Sequence, residues 1–277
     1  MGRGREPPPR AEGAARAPHG RVRGRRRALR LLLATGLAAL PLPARPAPPL
    51  RIAVAANFLP AARLLARRWA RAAGAPLPRL SAASTGALYA QIRHGAPFHV
   101  LLAADADRPA RLEREGLAVP GSRFTYALGR LALWAPRLPG DPRAALEEGR
   151  IGRLAIANPR TAPYGAAARA VLEVLGRWPW PGRLLVAAHV GQVPALVRQG
   201  GAEAGFLARA QALRLEGPRW EVPARLHPPL RQQAVLLRRG AAHPHAAAFL
   251  RWLRADPQAR AAVRAAGYGL PPSEAAA

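Results

Sequence analysis

Cysteine is absent from the 277 residues, and so is lysine. Without thiols no disulfide framework and no thiolate metal site can form, and the redox compartment leaves no mark on the chain. Without lysine there is no Ser-x-x-Lys pair, and the Gly-x-Ser-x-Gly pattern of a nucleophile elbow is missing as well. Ser84 therefore has no base near it in sequence, which argues against an enzyme and leaves no catalytic residue to name. Aromatic residues are only 5% of the chain, and Arg25-Arg26-Arg27 is the one tight run of arginines. Few stacking platforms and no basic stripe make a nucleic-acid-binding protein the weaker reading, despite a formal net charge of +28. All 43 basic residues are arginine, set against 15 carboxylates. A GC-rich coding sequence favours Ala, Arg, Pro, Gly and Leu in this way, so much of the charge reads as drift on solvated faces. Among the seven histidines the closest pair is His243-Pro244-His245. With no carboxylate beside it and a helical run from Ala246 to Arg254 after it, it reads as a solvated helix entry rather than a metal site.

Residues 1–47 stand apart from the rest. They carry eleven Arg and two Glu, with an apolar run from Ala28 to Leu40 followed by Pro41-Leu42-Pro43-Ala44-Arg45-Pro46-Ala47. A basic stretch, a short apolar stretch and small residues describe an export signal near 21–47, cleaved after about Ala44 or Ala47. The run falls short of the roughly 20 apolar residues that a bilayer span needs. Left uncleaved, the segment would instead tether the protein to the membrane. The basic part is longer than is usual, which leaves the true start codon and cleavage site open. Removing its eleven Arg and two Glu from +28 would leave about +19.

From Leu50 onward the chain alternates strand and helix. Leu50 to Asn57 is an apolar strand ending in a small polar residue, followed by a helical pattern from about Ala61 to Ala73. Leu77 to Leu80 reads as a second short strand, Ser84 to Arg93 as a turn and helix, Phe98 to Ala104 as a third strand, and Arg108 to Glu115 as a helix. This spacing implies a parallel sheet with helices on both faces and ligands beyond the carboxyl ends of the strands. Arg123 to Ala135 is one long strand-like run, long enough to leave one domain and enter another. A second series follows, with strands at 153–157, 183–187 and 204–208 and helices at 166–175 and 192–198. Leu230 to Leu237 is a second long run, suited to carrying the chain back, and the tail is helical over 245–254 and 257–266. The expected fold is α/β with two lobes, each a mostly parallel sheet flanked by helices, joined by two crossing strands. Residues 48–127 and 231–277 form the first lobe and 128–230 the second.

One stretch has the character of a site. In Ser84-Thr85-Gly86-Ala87-Leu88-Tyr89-Ala90-Gln91-Ile92 a hydroxyl and glycine cluster opens an amphipathic helix. Ser and Thr are good N-caps, and Gly86 lets a ligand or another backbone come close. Unpaired first-turn amides and the positive end of the helix dipole favour an anion there without a cationic side chain. By itself this pattern also fits a helix that merely caps itself.

The residues then resemble a known family. Ala53-Val54-Ala55-Ala56-Asn57-Phe58, the Ser84 to Ile92 stretch, Gly95-Ala96-Pro97-Phe98, Ala103-Ala104-Asp105, Ala157-Asn158-Pro159 with Ala162-Pro163-Tyr164-Gly165, Gly205-Phe206-Leu207-Ala208 and Gln233-Ala234-Val235-Leu236-Leu237 are similar to the periplasmic molybdate-binding protein of ABC importers. The blocks run in order from about Arg51 to Tyr268. The resemblance implies the type II periplasmic-binding-protein fold and the capture of molybdate or tungstate in an interlobe cleft for an ABC importer permease in the inner membrane. It implies an exported, monomeric protein without a cofactor or direct metal ligands, the metal being bound only as its oxyanion. It assigns Asn57 and Ser84 to the anion from the first lobe, and Tyr164 and Val190 from the second, Val190 and partly Tyr164 through the backbone N–H. Thr85 is the alternative to Ser84, because the register is ambiguous by one residue, and Ala56 could add its amide. Ala208 stands where some members carry Tyr, so the hydroxyl would come from Tyr164. His99 stands where an Asp is expected. The alternative ligand is another tetrahedral oxyanion such as sulfate. Each assignment also has a plainer reading: an Asx turn for Asn57, loop packing for Tyr164, core for Val190.

Overall fold

The computed structural model describes residues 48–271, so the expected export signal lies outside the described residues. β1 (Arg51–Ala55), β2 (Arg79–Ala83) and β3 (Val100–Leu102) alternate with α1 (Leu59–Ala72), α2 (Thr85–Arg93) and α3 (Asp107–Arg114). β4 (Phe124–Gly129) and β5 (Leu131–Trp134) follow, then α4 (Pro142–Glu147), β6 (Arg153–Ala157), α5 (Pro163–Val174), β7 (Arg183–Ala187) and α6 (Val193–Arg198). The chain finishes with β8 (Ala204–Ala208), α7 (Arg209–Ala212), β9 (Arg219–Glu221), β10 (Leu230–Leu236), α8 (Ala246–Ala255) and α9 (Pro257–Ala265).

Two five-stranded sheets result, ordered β2-β1-β3-β10-β4 and β7-β6-β8-β5-β9. β1 pairs parallel with β2 and β3, and β6 pairs parallel with β7 and β8. An antiparallel strand then joins each trio, β10 in the first sheet and β5 in the second. Each sheet is therefore mixed, with one strand running against the other four, and each forms one lobe with its helices. β1 is buried from Ile52 to Ala55 on both faces, which is why it reads as a continuous apolar run. α1 buries Ala61, Ala62, Leu65, Ala66 and Trp69 as one stripe and leaves its arginines outside. Trp69 meets Phe249 and Trp252 of α8 with ring centroids 5.8 and 5.7 Å apart.

Three expectations need correction. The second strand is not Leu77–Leu80 but Arg79–Ala83, because an edge strand follows its pairing with β1, Arg51 opposite Arg79, and carries little apolar pattern of its own. The run 123–135 does leave one sheet and enter the other, but as two strands rather than one. β4 ends at Gly129 in the first sheet, β5 starts at Leu131 in the second, and the Arg130 carbonyl between them accepts from the Arg209 N–H at 2.8 Å. Nor is Leu230–Leu237 the return crossing: β10 lies wholly in the first sheet between β3 and β4, so the chain has already crossed within 222–229. An apolar run reads the same whether its strand bridges two sheets or fills one. What decides is that buried backbone groups need ladder partners on both sides.

The histidines also differ from the expected picture. His243 is buried, its Nε2–H donating to the Pro48 carbonyl at 2.9 Å, and its ring stacks on His99 with centroids 4.3 Å apart. His99 Nδ1 accepts from the Arg51 N–H at 3.0 Å, so the residue standing in for the expected Asp anchors the start of β1. Burial first, then His243 and Arg51, hold the His99 pKa below its ordinary value.

Candidate functional site

Four turns at the carboxyl ends of strands meet between the two sheets. Asn57 follows β1, Ser84 and Thr85 open α2 after β2, Pro163 and Tyr164 open α5, and His189 and Val190 follow β7. With Ala55, Ala56, Ala83, Ala104 and Ala162 they line a small cavity with about 10 Å³ of water-accessible space. That is far below the roughly 300–1,000 Å³ typical of sites for drug-sized molecules, so the space suits only a small ligand. All five sequence-predicted residues, Asn57, Ser84, Thr85, Tyr164 and Val190, are brought to this cavity.

The first-lobe turn largely satisfies itself. Ser84 is the N-cap of α2, with extended backbone, and its Oγ accepts from the Ala87 N–H at 3.4 Å. Thr85, fully buried, accepts the Ala104 N–H at 3.0 Å through Oγ1 and so pins the helix start to the end of β3. The Gly86 N–H crosses to the second lobe and donates to the Thr161 carbonyl at 2.8 Å. The Thr85 amide, at the first helical position, has no intrahelical acceptor.

The second lobe is built differently. α5 begins at Ala162 with no capping side chain, its first residue Pro163 has no N–H, and the amides of Gly165 and Ala166 turn back to the Ala162 carbonyl at 2.9 and 3.0 Å. That leaves the Tyr164 amide in a start where Ala162, Tyr164 and Gly165 are all buried. Val190 likewise heads a short 3-10 turn with no side-chain cap. Helix starts buried without acceptors are costly unless a ligand or water supplies them.

Behind the cavity runs a polar network. Asn57, 2% exposed, donates through Nδ2 to Gln232 Oε1 at 2.9 Å and to the Tyr268 hydroxyl at 3.3 Å, while that hydroxyl donates to the Asn57 carbonyl at 2.8 Å. The Tyr126 hydroxyl also reaches Gln232 Oε1, at 3.2 Å, and Gln232 Nε2 donates to the Tyr164 hydroxyl at 3.2 Å. Asn57 is thus held by distant side chains rather than by a local Asx turn. The Tyr164 hydroxyl faces the joint between the lobes, and burial pushes its pKa far above the ordinary value.

No lining residue carries a formal charge apart from what His189 can acquire, and burial lowers the pKa of that half-buried imidazole. Asp105, next to lining Ala104, is paired with Arg108; burial raises its pKa and the arginine opposes the rise. Arg108 also donates across the cleft to the Arg160 carbonyl at 3.1 Å. Among the described residues no hydrogen bond joins Ser84 to His189 and no carboxylate orients that histidine, so the cavity offers donors but no activated nucleophile. No group of three or more His, Cys, Asp or Glu capable of holding a metal ion occurs among the described residues. Sequence reasoning missed His189, Gln232, Tyr126 and Tyr268. The only available signal was the pair Gln232-Gln233, which with Arg231 interrupts the apolar pattern of β10.

Comparison with known proteins adds three findings. A family model described as bacterial extracellular solute-binding protein matches residues 50–269. The molybdate-binding protein ModA of Azotobacter vinelandii is 41% identical over 249 residues, covering 87% of this chain and 97% of that protein, and the protein of the same name from Rhodobacter capsulatus is 40% identical over 219 residues, covering 78% and 86%. In three dimensions the chain is similar to a solved periplasmic molybdate-binding protein of Azotobacter vinelandii, with a TM-score of 0.75 and 38% identity, over 80% of this chain and 99% of that one.

Proposed function

Since the chain belongs to the bacterial extracellular solute-binding proteins, among the molybdate-binding members, we propose that it captures molybdate between its lobes for delivery to an ABC importer permease. The observation that carries this reading is the convergence of buried, uncapped amides on a small cavity with no cationic side chain in its lining. A tetrahedral dianion supplies oxygens to such donors, and hydrogen bonds to an ionised acceptor are shorter and about twice as strong as neutral ones. The amides of Thr85, Tyr164 and Val190 would face the anion, with the main-chain N–H of Asn57, whose side-chain N–H groups are held by Gln232 and Tyr268. Of the two candidate hydroxyls we assign the donor to Ser84. Its oxygen accepts from its own helix and leaves its proton for the ligand, whereas Thr85 is fully buried and pins β3.

Donors fixed on helix starts in both lobes set the radius of the cavity when the lobes meet. Tungstate, which shares the tetrahedral dianionic shape, would bind the same donors, and sulfate, being smaller, would not reach all of them at once. We read the first sheet with its helices as one lobe and the second sheet with its helices as the other, the chain passing between them at Arg130 and within 222–229, and the two lobes closing on the anion and presenting the closed surface to the permease. The protein is read as a monomeric, exported binding protein without cofactor or reaction of its own, released to the periplasm if the segment 21–47 is cleaved and tethered if it is not. Thermal unfolding with molybdate, tungstate, sulfate and phosphate tests the proposal. An anion at a hundred times its dissociation constant should stabilise the fold by about 2.7 kcal/mol. A shift with sulfate and none with molybdate or tungstate would overturn the choice of ligand.

A further inference from the structure

Gln232 and Gln233 are adjacent in β10, yet both are buried, 0% and 9% exposed. Successive strand residues normally point to opposite faces, and here the pairing with β4 shifts register between them: Gln232 lies opposite Ala127 and Gln233 opposite Thr125. The two amides have different destinations. Gln233 stays within the first lobe, accepting from Arg123 Nη1 at 2.9 Å and donating to Thr125 Oγ1 at 3.2 Å. Gln232 accepts from Asn57 and Tyr126 in its own lobe and donates to Tyr164, whose helix packs in the core of the second.

The bond to Tyr164 needs room that the sequence provides. Gly129 ends β4 at the point where the chain leaves the first sheet, and a Cβ there would overlap the Tyr164 hydroxyl and sit 2.9 Å from Gln232 Nε2. A side chain at 129 would therefore close the gap through which the hydroxyl reaches the amide. Tyr164 also contributes the unpaired amide of α5, and Asn57 contributes the turn after β1, so one glutamine holds a side chain from a cavity turn in each lobe.

We infer that Gln232 is a positioning residue that joins the two anion-binding turns across the lobes, through a hydrogen bond to Tyr164 that exists only while the lobes are closed. The inference rests on the proposed anion site for its effect on affinity, but the joint itself is a property of the protein alone. A bond made only in the closed form slows opening and leaves the approach of the anion to the open form unchanged. Its loss should appear in the release rate.

The test uses the full chain carrying Tyr164→Phe, Gln232→Met, both, or Gln233→Met as a control. Tyr164→Phe keeps the backbone amide and deletes only the hydroxyl that crosses the lobes. With molybdate in stopped flow, Tyr164→Phe and Gln232→Met should each speed release about tenfold with the association rate within about twofold, and the double variant should be little worse than the weaker single one, as expected when both remove one bond. Gln233→Met should lower folding stability without changing release. Because the chain has no cysteine, Leu77→Cys with Val174→Cys, both exposed and one on each lobe, gives a labelled pair for measuring interlobe distance without any anion. Tyr164→Phe should shift that distance distribution toward the open form. Unchanged release and distance in Tyr164→Phe, or losses that multiply in the double variant, would overturn the joint. Wild-type protein that ignores molybdate yet opens further with Tyr164→Phe would refute the ligand and uphold the joint.

Discussion

The starts of α2 and α5 do the same job in the two lobes with opposite local chemistry. α2 carries its own cap, Ser84, and its second amide is taken by Thr161. α5 has alanine where a cap would be and proline after it, and buries the result. The first turn satisfies its Gly86 and Ala87 amides without a ligand and leaves only that of Thr85 over, whereas the second has no capping side chain at all. This difference makes the second lobe the partner that gains most from an anion, and it predicts which substitutions act on binding and which on folding.

The largest effect should come from Ser84→Asp. Aspartate caps a helix as well as serine does, so α2 keeps its start, but a carboxylate now occupies a cavity meant for a dianion. Thermal stabilisation by molybdate should disappear altogether, while the ligand-free unfolding temperature stays within a degree or two, the scale of a few tenths of a kcal/mol. Retained stabilisation would remove Ser84 from the site. A pair of glycine substitutions sharpens the contrast next. A Cβ on Gly165 would run into the Ala157 carbonyl within the second lobe, whereas one on Gly86 would lie 2.8 Å from the Thr161 carbonyl across the cleft. Gly165→Ala should cost about 1–3 kcal/mol of folding stability in urea, as overpacking does. Gly86→Ala should leave the ligand-free stability nearly unchanged and weaken molybdate binding, since the clash exists only when the lobes meet. Equal losses of stability in the two variants would erase the distinction.

A smaller effect tests the missing cap directly. Ala162→Ser offers α5 a hydroxyl acceptor for the Tyr164 amide that the anion would otherwise take. The ligand-free protein should gain about 1 kcal/mol, the usual worth of an N-cap, and the affinity for molybdate should fall at the same time. A gain in both would mean that this amide does not face the ligand.

Much of this was legible in the chain, for identifiable reasons. β6 and β8 stand where their apolar runs place them, because strands covered on both faces carry their identity in side chains alone. β7 matches its run 183–187 as well, although it lies at the sheet edge with Val186 exposed. β9, three residues at a sheet edge with its first and last exposed, leaves no such pattern, and the six-residue α4 was passed over although Asp141 caps it by accepting the Arg143 N–H at 3.0 Å. Of the cavity residues, local turn chemistry points to Ser84 and to the strand end at Asn57, whereas Tyr164 and Val190 came only with the family resemblance. The network behind them was not legible, because Asn57 and Tyr268 are 211 positions apart and meet only through topology. Gln232 was hidden by a register shift that a strict alternation of faces cannot show.

Proton linkage gives the smallest and most discriminating comparison. His99 and His189 both have pKa values held below the ordinary 6.5, in each case chiefly by burial. A folded state that binds protons less readily than the unfolded one is favoured by higher pH, so the contribution of both residues is complete above about 6.5 and is lost as the pH falls below it. The unfolding midpoint in urea should therefore drop between pH 7 and pH 5.5, and His99→Asn should remove part of that drop. The two histidines part company when the anion is present. His189 lines the cavity, where a dianion favours the charged imidazole, so molybdate should raise its pKa and cancel its share. His99 bonds the first residue of β1, the end away from the cavity, about 15 Å of strand away, and its share should persist. With molybdate bound, wild-type protein should lose less stability on acidification than the ligand-free protein does, and His99→Asn should flatten what remains. An acid sensitivity that molybdate leaves untouched would place His189 outside the reach of the anion.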